Sequence, residues 1–295
     1  MIDHIHCRVQ NDLCFCQNGR RVVGADKYIM NTNNNKDLFF PTNAEVNIIP
    51  VVQGDEQMKV EAGDLPETLP ILALRNAVLF PGMVYPVTIG RQKSITLIKE
   101  AEKRDSFIGA VPQVDVSVED PAEKDLYVYG TVARVMKVLE MPDGTITAIL
   151  QGVKRLQLTG VLSYEPYITA AVKYVEDIIP ENDNSTKMIA ESLKEKAAVI
   201  IKSSSFAPKE AVGALKSIDN YAFLVNFIAT TVEIENFMEK VQLLGIDDIT
   251  VRAMKLLQVL DTQIQLLKIK QEINQKVKSD IDQQQREYYL NNQLR

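Results

Sequence analysis

The chain predicts an α+β fold: a mostly antiparallel, barrel-like β lobe, then an α-helical bundle that ends in one long helix. Three observations lead there. Between residues 69 and 174 the sequence offers six or seven short apolar or alternating runs separated by turn residues, without the strand–helix–strand rhythm of a parallel α/β fold. After the acidic stretch 176–184 the apolar period changes from two to between three and four. From Gly245 to the end there is no further Gly or Pro, so roughly 50 residues can stay helical over ~75 Å at 1.5 Å per residue.

The chain divides accordingly into a poorly ordered leader (1–66), a β-rich lobe (67–176), a helical bundle (185–245) and the long helix (246–295). In the leader, Asn31-Thr32-Asn33-Asn34-Asn35 and Gln53-Gly54-Asp55-Glu56-Gln57 are polar runs with little apolar material between them, which predicts mostly loop and at most one short element near residues 47–52. Order starts at Leu69-Pro70-Ile71-Leu72-Ala73-Leu74, apolar on both faces as a strand buried between layers must be. Pro81-Gly82 supplies a turn. Residues 83–89 alternate after it, and Pro86, which cannot donate to a ladder, makes that run an edge strand. Residues 92–104 read as a helix with Ile95, Ile98 and Ala101 inward, and residues 107–111 as a strand.

Five acids between Asp115 and Asp125 face one lysine, Lys124, and read as a solvated loop. In residues 127–140 the alternation changes parity near Arg134, which predicts a bulge. Met141-Pro142-Asp143-Gly144 turns the chain into residues 145–150, Gln151-Gly152 breaks that run before residues 153–158, and Ile168, Ala170, Val172 and Tyr174 line a last strand. In the second half, Ser185 and Asp219 are candidate helix N-caps, Pro208 suits a first turn, and Gly245 a left-handed C-cap. Asp247 and Asp248 fall at the positive end of the long helix. Its first half carries Ile249, Ala253, Leu256, Leu260, Ile264 and Leu267 on one face; its second half thins to Ile269, Ile273, Val277 and Ile281, as a helix leaving its own domain would. Such a helix pairs with other copies as a coiled coil or runs into a further domain.

Composition removes several functions. Both histidines (His4, His6) and all three cysteines (Cys7, Cys14, Cys16) fall within the first sixteen residues, so the predicted folded part can build neither a His-based nucleophilic triad nor a His/Cys metal site. Cys14-Phe15-Cys16 lacks the usual spacer and a second ligand pair, and no metal is expected. A net charge of −6 without a basic cluster disfavours nucleic acid. No apolar run approaches the length of a membrane span, no signal peptide is recognisable, and a reducing, cytoplasmic location is the expectation. Gly213-Ala214-Leu215-Lys216-Ser217 lacks the spacing of a phosphate loop, and Ser203-Ser204-Ser205 has no base beside it, so no catalytic or cofactor-binding residue is assigned.

Leu69-Pro70-Ile71-Leu72-Ala73-Leu74-Arg75-Asn76 with Phe80-Pro81-Gly82, then Gly130-Thr131-Val132-Ala133 and Pro142-Asp143-Gly144-Thr145, then Gln285-Arg286-Glu287-Tyr288-Tyr289-Leu290, closely resemble the N-terminal region of bacterial Lon proteases. The resemblance covers residues 69–295. It implies a PUA-like β lobe and a helical lobe that precede an ATPase ring and a serine-lysine protease domain in a homohexamer, with ATP and Mg used by those later domains. It also implies a segment that engages unfolded or damaged polypeptides and organises the hexamer. The chain stops where the resemblance would lead into the ATPase, and the family's phosphate-binding and catalytic residues map onto none of its positions. Substrate capture by apolar contact assigns Leu79, Phe80, Met83 and Tyr85 around the Pro81-Gly82 turn as candidate binding residues; Tyr288, Tyr289 and Leu290 are candidates for packing against neighbouring subunits or the ATPase. Two other classes stay open at this stage. One is a stand-alone PUA-like module for RNA or protein, which salt-dependent RNA binding would reveal; the other is an enzyme built from carboxylates, Lys, Tyr or Ser, which a deep pocket with converging carboxylates would reveal.

Overall fold

The computed structural model describes residues 8–10, 13–15, 21–23, 65–141, 145–180, 184–204, 210–234 and 236–293. Strands β1 (Arg8–Gln10), β2 (Leu13–Phe15) and β3 (Arg21–Val23) form a small antiparallel meander where the sequence predicts only loop. Each is three residues long, too short for a period-two pattern to stand out. The element predicted near residues 47–52 and the turn at residues 142–144 lie outside the described residues.

The β lobe contains β4 (Thr68–Leu74), β5 (Val84–Ile89), helix α1 (Gln92–Arg104), β6 (Phe107–Pro112), β7 (Tyr129–Glu140), β8 (Ile146–Ser163) and β9 (Thr169–Val175). Its six strands run in the order β5-β8-β7-β6-β4-β9, and a further pairing of β9 with β8 closes the last five into a barrel. Only β4 and β6 are parallel; every other pair in this sheet is antiparallel. β5 lies outside the closed ring, paired with the first part of β8 alone, so Pro86 does sit on an edge strand. The parity change near Arg134 appears as register shifts between Val132 and Ala133 and between Val135 and Lys137. β4 is buried on both faces: Leu69 and Ile71 pack inside the barrel, Leu72 and Leu74 against the helical side.

The predicted break at Gln151-Gly152 is absent, and β8 runs through it for 18 residues. Gly152 is there for space. A Cβ on it would lie 2.4 Å from the Phe80 carbonyl oxygen, because the Pro81-Gly82 turn folds onto this point of β8. Gly82 N–H donates to Gly152 O (2.9 Å) and Gly152 N–H to Met83 O (2.8 Å). Gly82 itself has φ +80°, as the turn requires.

The helical side consists of α2 (Asn184–Ser203), α3 (Glu210–Ser217), α4 (Tyr221–Thr231), α5 (Phe237–Leu244) and α6 (Ile249–Gln293). Asn220, one residue past the predicted Asp219, caps α4, its side chain accepting from Phe223 N–H (2.9 Å). The next helix starts at Phe237, where the Asn236 side chain accepts from Met238 N–H (3.1 Å). Gly245 ends α5 in right-handed geometry (φ −77°, ψ −9°), not the left-handed cap predicted, and a Cβ there would lie 3.2 Å from the Tyr129 ring, a tight contact. Asp248 caps α6 by accepting from Thr250 N–H (2.7 Å) and Val251 N–H (3.1 Å), so the acid at the helix start holds its expected place. α6 is 45 residues long, about 68 Å at the standard rise. Ile249, Ala253, Leu256 and Leu260 are buried, whereas Ile269, Ile273, Val277 and Ile281 are half exposed.

The two lobes share one core. Leu72, Leu79, Phe80, Met83 and Leu97 from the β side join Leu224, Phe227, Leu256 and Leu260 from the helical side in a single apolar cluster. A smaller cluster around Leu69, Ile71, Val132 and Leu156 fills the barrel. At the junction lie two fully buried guanidiniums. Arg155 on β8 donates from Nε to Asp177 Oδ1 (2.6 Å), from Nη1 to Asp247 Oδ1 (2.9 Å) and Leu244 O (3.1 Å), and from Nη2 to Glu176 O (3.0 Å). Arg252 on α6 donates from Nη2 to the same Asp177 oxygen (2.8 Å), from Nη1 to Asn226 Oδ1 (3.1 Å) and from Nε to Ile246 O (3.0 Å). Burial pushes the Arg252 pKa down, and Asp177 pulls it back up. The acidic stretch read as a linker therefore supplies the carboxylate that pins the lobes together.

Two outcomes follow in stability measurements. Asp177→Ala leaves both guanidiniums short of their shared acceptor and is expected to cost roughly 3–5 kcal/mol, whereas Asp261→Ala, which breaks an exposed pair with Lys196, is expected to change stability far less; urea titration followed by circular dichroism separates the two. Gly152→Ala drives a methyl group into the Phe80 carbonyl and is expected to cost at least about 1–3 kcal/mol, while Gly160→Ala on the same strand, with open space around it, leaves the thermal midpoint within a degree or two.

Candidate functional site

Two cavities flank the start of α1. The first, about 310 Å³, lies between the C-terminal end of β4 and the length of β5, with Ala73, Arg75, Asn76, Tyr85, Pro86, Thr88, Arg91 and Ser94 among its walls. The second, about 350 Å³, shares Ala73, Arg91 and Ser94 with the first and continues to Pro121, Tyr164, Tyr167 and Ile168. The shared wall makes them neighbouring compartments of one groove, basic and polar at one end, aromatic at the other.

Arg91 stands between the compartments. Its Nη2 donates to Gln113 Oε1 (2.6 Å) and to Val118 O (3.0 Å), and its Nε is buried with no acceptor among the described residues. Gln113 is fully buried and passes its own N–H bonds to Asp115 O (2.6 Å) and Val118 O (2.7 Å), which holds the acidic loop against the groove. Arg75 reaches the same Val118 carbonyl at 3.4 Å, so two guanidiniums sit close together. Burial first, and then the neighbouring Arg75 charge, lower the Arg91 pKa; Asp120 and Glu119 oppose them from a distance. Lys93, Glu119 and Asp120 also line the second compartment, Lys93 paired with Glu165 at 2.8 Å and Asp120 at 3.9 Å. Burial also raises the Tyr85 pKa, keeping the phenol neutral as a wall of the cavity.

Of the residues singled out in the sequence, Tyr85 alone lines this groove. Leu79, Phe80 and Met83 are core residues, 1%, 0% and 0% exposed. The turn that should have projected them is covered by α4: a Cβ on Gly82 would touch the Phe223 ring, and Asn226 Nδ2 donates to Pro81 O (3.2 Å). An apolar surface patch at these three positions is therefore corrected to an interlobe contact. The backbone of α6 carries Tyr288, Tyr289 and Leu290 in its last turns, and their side chains lie outside the described residues. Arg75 and Arg91 carry no role in the sequence reading. A signal was present, since Arg91 precedes a helix without a capping side chain and no acid occupies the first turn of α1, where acids are favoured.

The groove offers hydrogen-bond donors, charge of both signs and aromatic surface. Among the described residues no group of three or more His, Cys, Asp or Glu is placed to hold a metal, and no helix is long and apolar enough to cross a membrane.

Comparison with known proteins agrees with a binding module. Residues 68–262 match the family model of the "ATP-dependent protease La (LON) substrate-binding domain". The chain is 43% identical over 253 residues to a Lon protease of Flavobacterium johnsoniae, covering 85% of this chain and 31% of that protein. It is 35% identical over 276 residues to a Lon protease of Porphyromonas gingivalis (91% and 32%) and 30% identical over 227 residues to that of Escherichia coli (77% and 29%). The chain thus spans about a third of the length of the curated relatives it matches. Among solved structures, the N-terminal domain of a Mycobacterium avium complex Lon protease superposes with a TM-score of 0.54 at 18% identity, covering 66% of this chain and 98% of that one, which matches the α+β architecture. The chain belongs to the Lon protease family, and the region matching its substrate-binding domain contains the whole β lobe, the helical bundle and the first turns of α6.

Proposed function

We propose that this chain is the substrate-recognising and assembly-organising front part of an ATP-dependent serine protease of the Lon type, which acts in the cytoplasm on misfolded and regulatory proteins. The observation that carries the reading is the match of residues 68–262 to the substrate-binding domain, with α6 continuing beyond it to Gln293. In this reading the groove beside α1 engages exposed segments of unfolded or damaged polypeptides, and α6 carries the captured client toward an ATPase ring. ATP and Mg serve that ring, and peptide hydrolysis belongs to a protease domain further on; neither chemistry is assigned to residues of this chain. Photo-crosslinking with a reduced, unfolded casein-like polypeptide tests the role: labelling is expected on Tyr85, Tyr164 and their surroundings. Labelling confined to other surfaces rejects the groove, and absence of capture rejects the function.

Organisation of a hexamer is assigned to α6. At 100° per residue, Val277 and Ile281 fall at the angles of the buried Val259 and Gln263, eighteen residues earlier, while Ile269 falls at that of the exposed Val251, so the second apolar line drifts back onto the packed face of α6. That face is half exposed from Ile269 onward, beyond the buried stretch that ends at Gln263. Helices of neighbouring copies, with Tyr288, Tyr289 and Leu290 continuing the contact, are its proposed partners. Ile273→Glu combined with Val277→Glu is expected to leave the melting temperature of the two lobes unchanged and to lower the hexamer fraction of the longer protease in sedimentation velocity. An unaltered hexamer fraction removes α6 from the assembly role.

A further inference from the structure

The barrel has an open seam. β9 covers β4 only along Thr68–Pro70, and Ile71 N–H makes one further bond to Ile168 O (2.8 Å). Beyond that, among the described residues, the side of β4 turned away from β6 has no strand beside it, and β5, which stands across the gap, has β8 as its single neighbour. Three hydrogen bonds establish which residues turn their backbone groups into the gap. On β4, Gln113 N–H donates to Leu74 O (2.9 Å) from the β6 side and Ile71 donates to the opposite side, so the alternation of a strand sends Ala73 N–H and C=O into the seam. On β5, Gly152 N–H donates to Met83 O, so Met83, Tyr85, Val87 and Ile89 address β8 while Val84, Pro86 and Thr88 address the seam. Pro86, which has no N–H, thus falls on the unpaired side.

The 310 Å³ cavity occupies this seam, and the Arg75 and Arg91 guanidiniums stand at its head. They share the Val118 carbonyl, and neither has a carboxylate within ion-pair distance among the described residues. Two neighbouring cations with no carboxylate in direct contact, Asp120 and Glu119 acting on Arg91 only from beyond ion-pair distance, create a local field that favours a planar anion accepting from both.

We propose that the seam between β4 and β5 receives an extended segment of a client polypeptide as an added strand, with Arg75 and Arg91 holding a carboxylate of that segment, an Asp or Glu side chain or its C-terminus. The proposal rests on the substrate-binding reading and names the chemistry of what is bound. An extended backbone suits the seam because Ala73 on β4 and Thr88 on β5 both turn N–H and C=O groups into it with no backbone partner among the described residues, and a free phosphate or a compact ligand cannot satisfy both edges together. Tyr85 and Thr88 then border the added side chains. The β5 edge is left open because a partner pairs with it, and Pro86 limits which registers pair.

Fluorescence anisotropy with labelled ten-residue peptides tests this on the chain as it stands. The probes are an extended peptide with Asp and a free C-terminus, its Asn and C-terminal amide counterpart, and an Asp version N-methylated at alternate residues; inorganic phosphate serves as competitor. The acidic peptide is expected to bind about tenfold more tightly than its amide counterpart. Arg75→Glu, at an exposed position, is expected to abolish that difference with the thermal midpoint unchanged, and Arg75→Gln to reduce it. N-methylation is expected to weaken binding on the wild-type chain, and hydrogen exchange at Ala73 and Thr88 to slow when the acidic peptide is bound. Equal binding of acid and amide peptides, no effect of N-methylation, or displacement of the peptide by millimolar phosphate overturns the proposal. Unfolded polypeptide captured equally well by wild type and Arg75→Glu removes this site and leaves substrate binding standing; capture by neither removes both.

Discussion

Asp177 is the point on which the two lobes depend. One of its oxygens accepts from Arg155 on β8 and from Arg252 on α6, and the two cations are otherwise enclosed by the Asp247 carboxylate, by carbonyls of Glu176 and the α5–α6 turn, and by the Asn226 amide. Two guanidiniums cannot be taken out of water side by side unless a carboxylate lies between them. That requirement couples the exit from the barrel, the turn into α6 and α4 into one arrangement. Asn226 extends it to the Pro81-Gly82 turn, the same turn that seats against Gly152. Apolar burial supplies most of the stabilisation, but it is directionless; the charged junction decides the angle at which α6 leaves.

From this follows the division of labour within the molecule. The rigid part is the shared core between the helical bundle and the closed face of the barrel, where β4 contributes side chains to two clusters at once. The open part is the opposite edge, where β5 and the end of β4 face each other across a groove headed by Arg75 and Arg91. A binding surface on strand edges with a fixed core behind it keeps its geometry while its ligand varies, because main-chain groups are alike in every polypeptide. α6 leaves that core as some 68 Å of uninterrupted helix.

Much of the architecture was legible along the chain. Helix α1 falls on its predicted residues, β5 is the edge strand that Pro86 demanded, and the parity change near Arg134 became a bulge. These are local effects: a period, a missing N–H, a shift of face. The misses share another cause. Gly152 and Gly245 were read as punctuation, whereas Phe80 and Tyr129, remote in sequence, are the residues that close in on those positions. Leu79, Phe80 and Met83 were read as projecting from a turn, because nothing nearby in the chain announces that α4 lies over it. Of the groove, Tyr85 was named only as a member of the apolar patch around the Pro81-Gly82 turn, while the arginines, sixteen positions apart, had no common motif to join them.

Composition and period alone determined that this protein has a β lobe, a helical lobe and a helix too long for its own domain, and that histidine and cysteine chemistry is missing from everything after residue 16. Family membership was equally readable from the short motifs near Leu69 and Tyr288. Tertiary structure alone decided which glycines mark close approaches, that an acidic linker residue is the counter-ion of two buried arginines, and that the barrel stays open beside Arg75 and Arg91. The physical reason is one of range: helical and strand periods are written between neighbours, whereas desolvation, ion pairing and an unfilled strand edge exist only once distant segments meet.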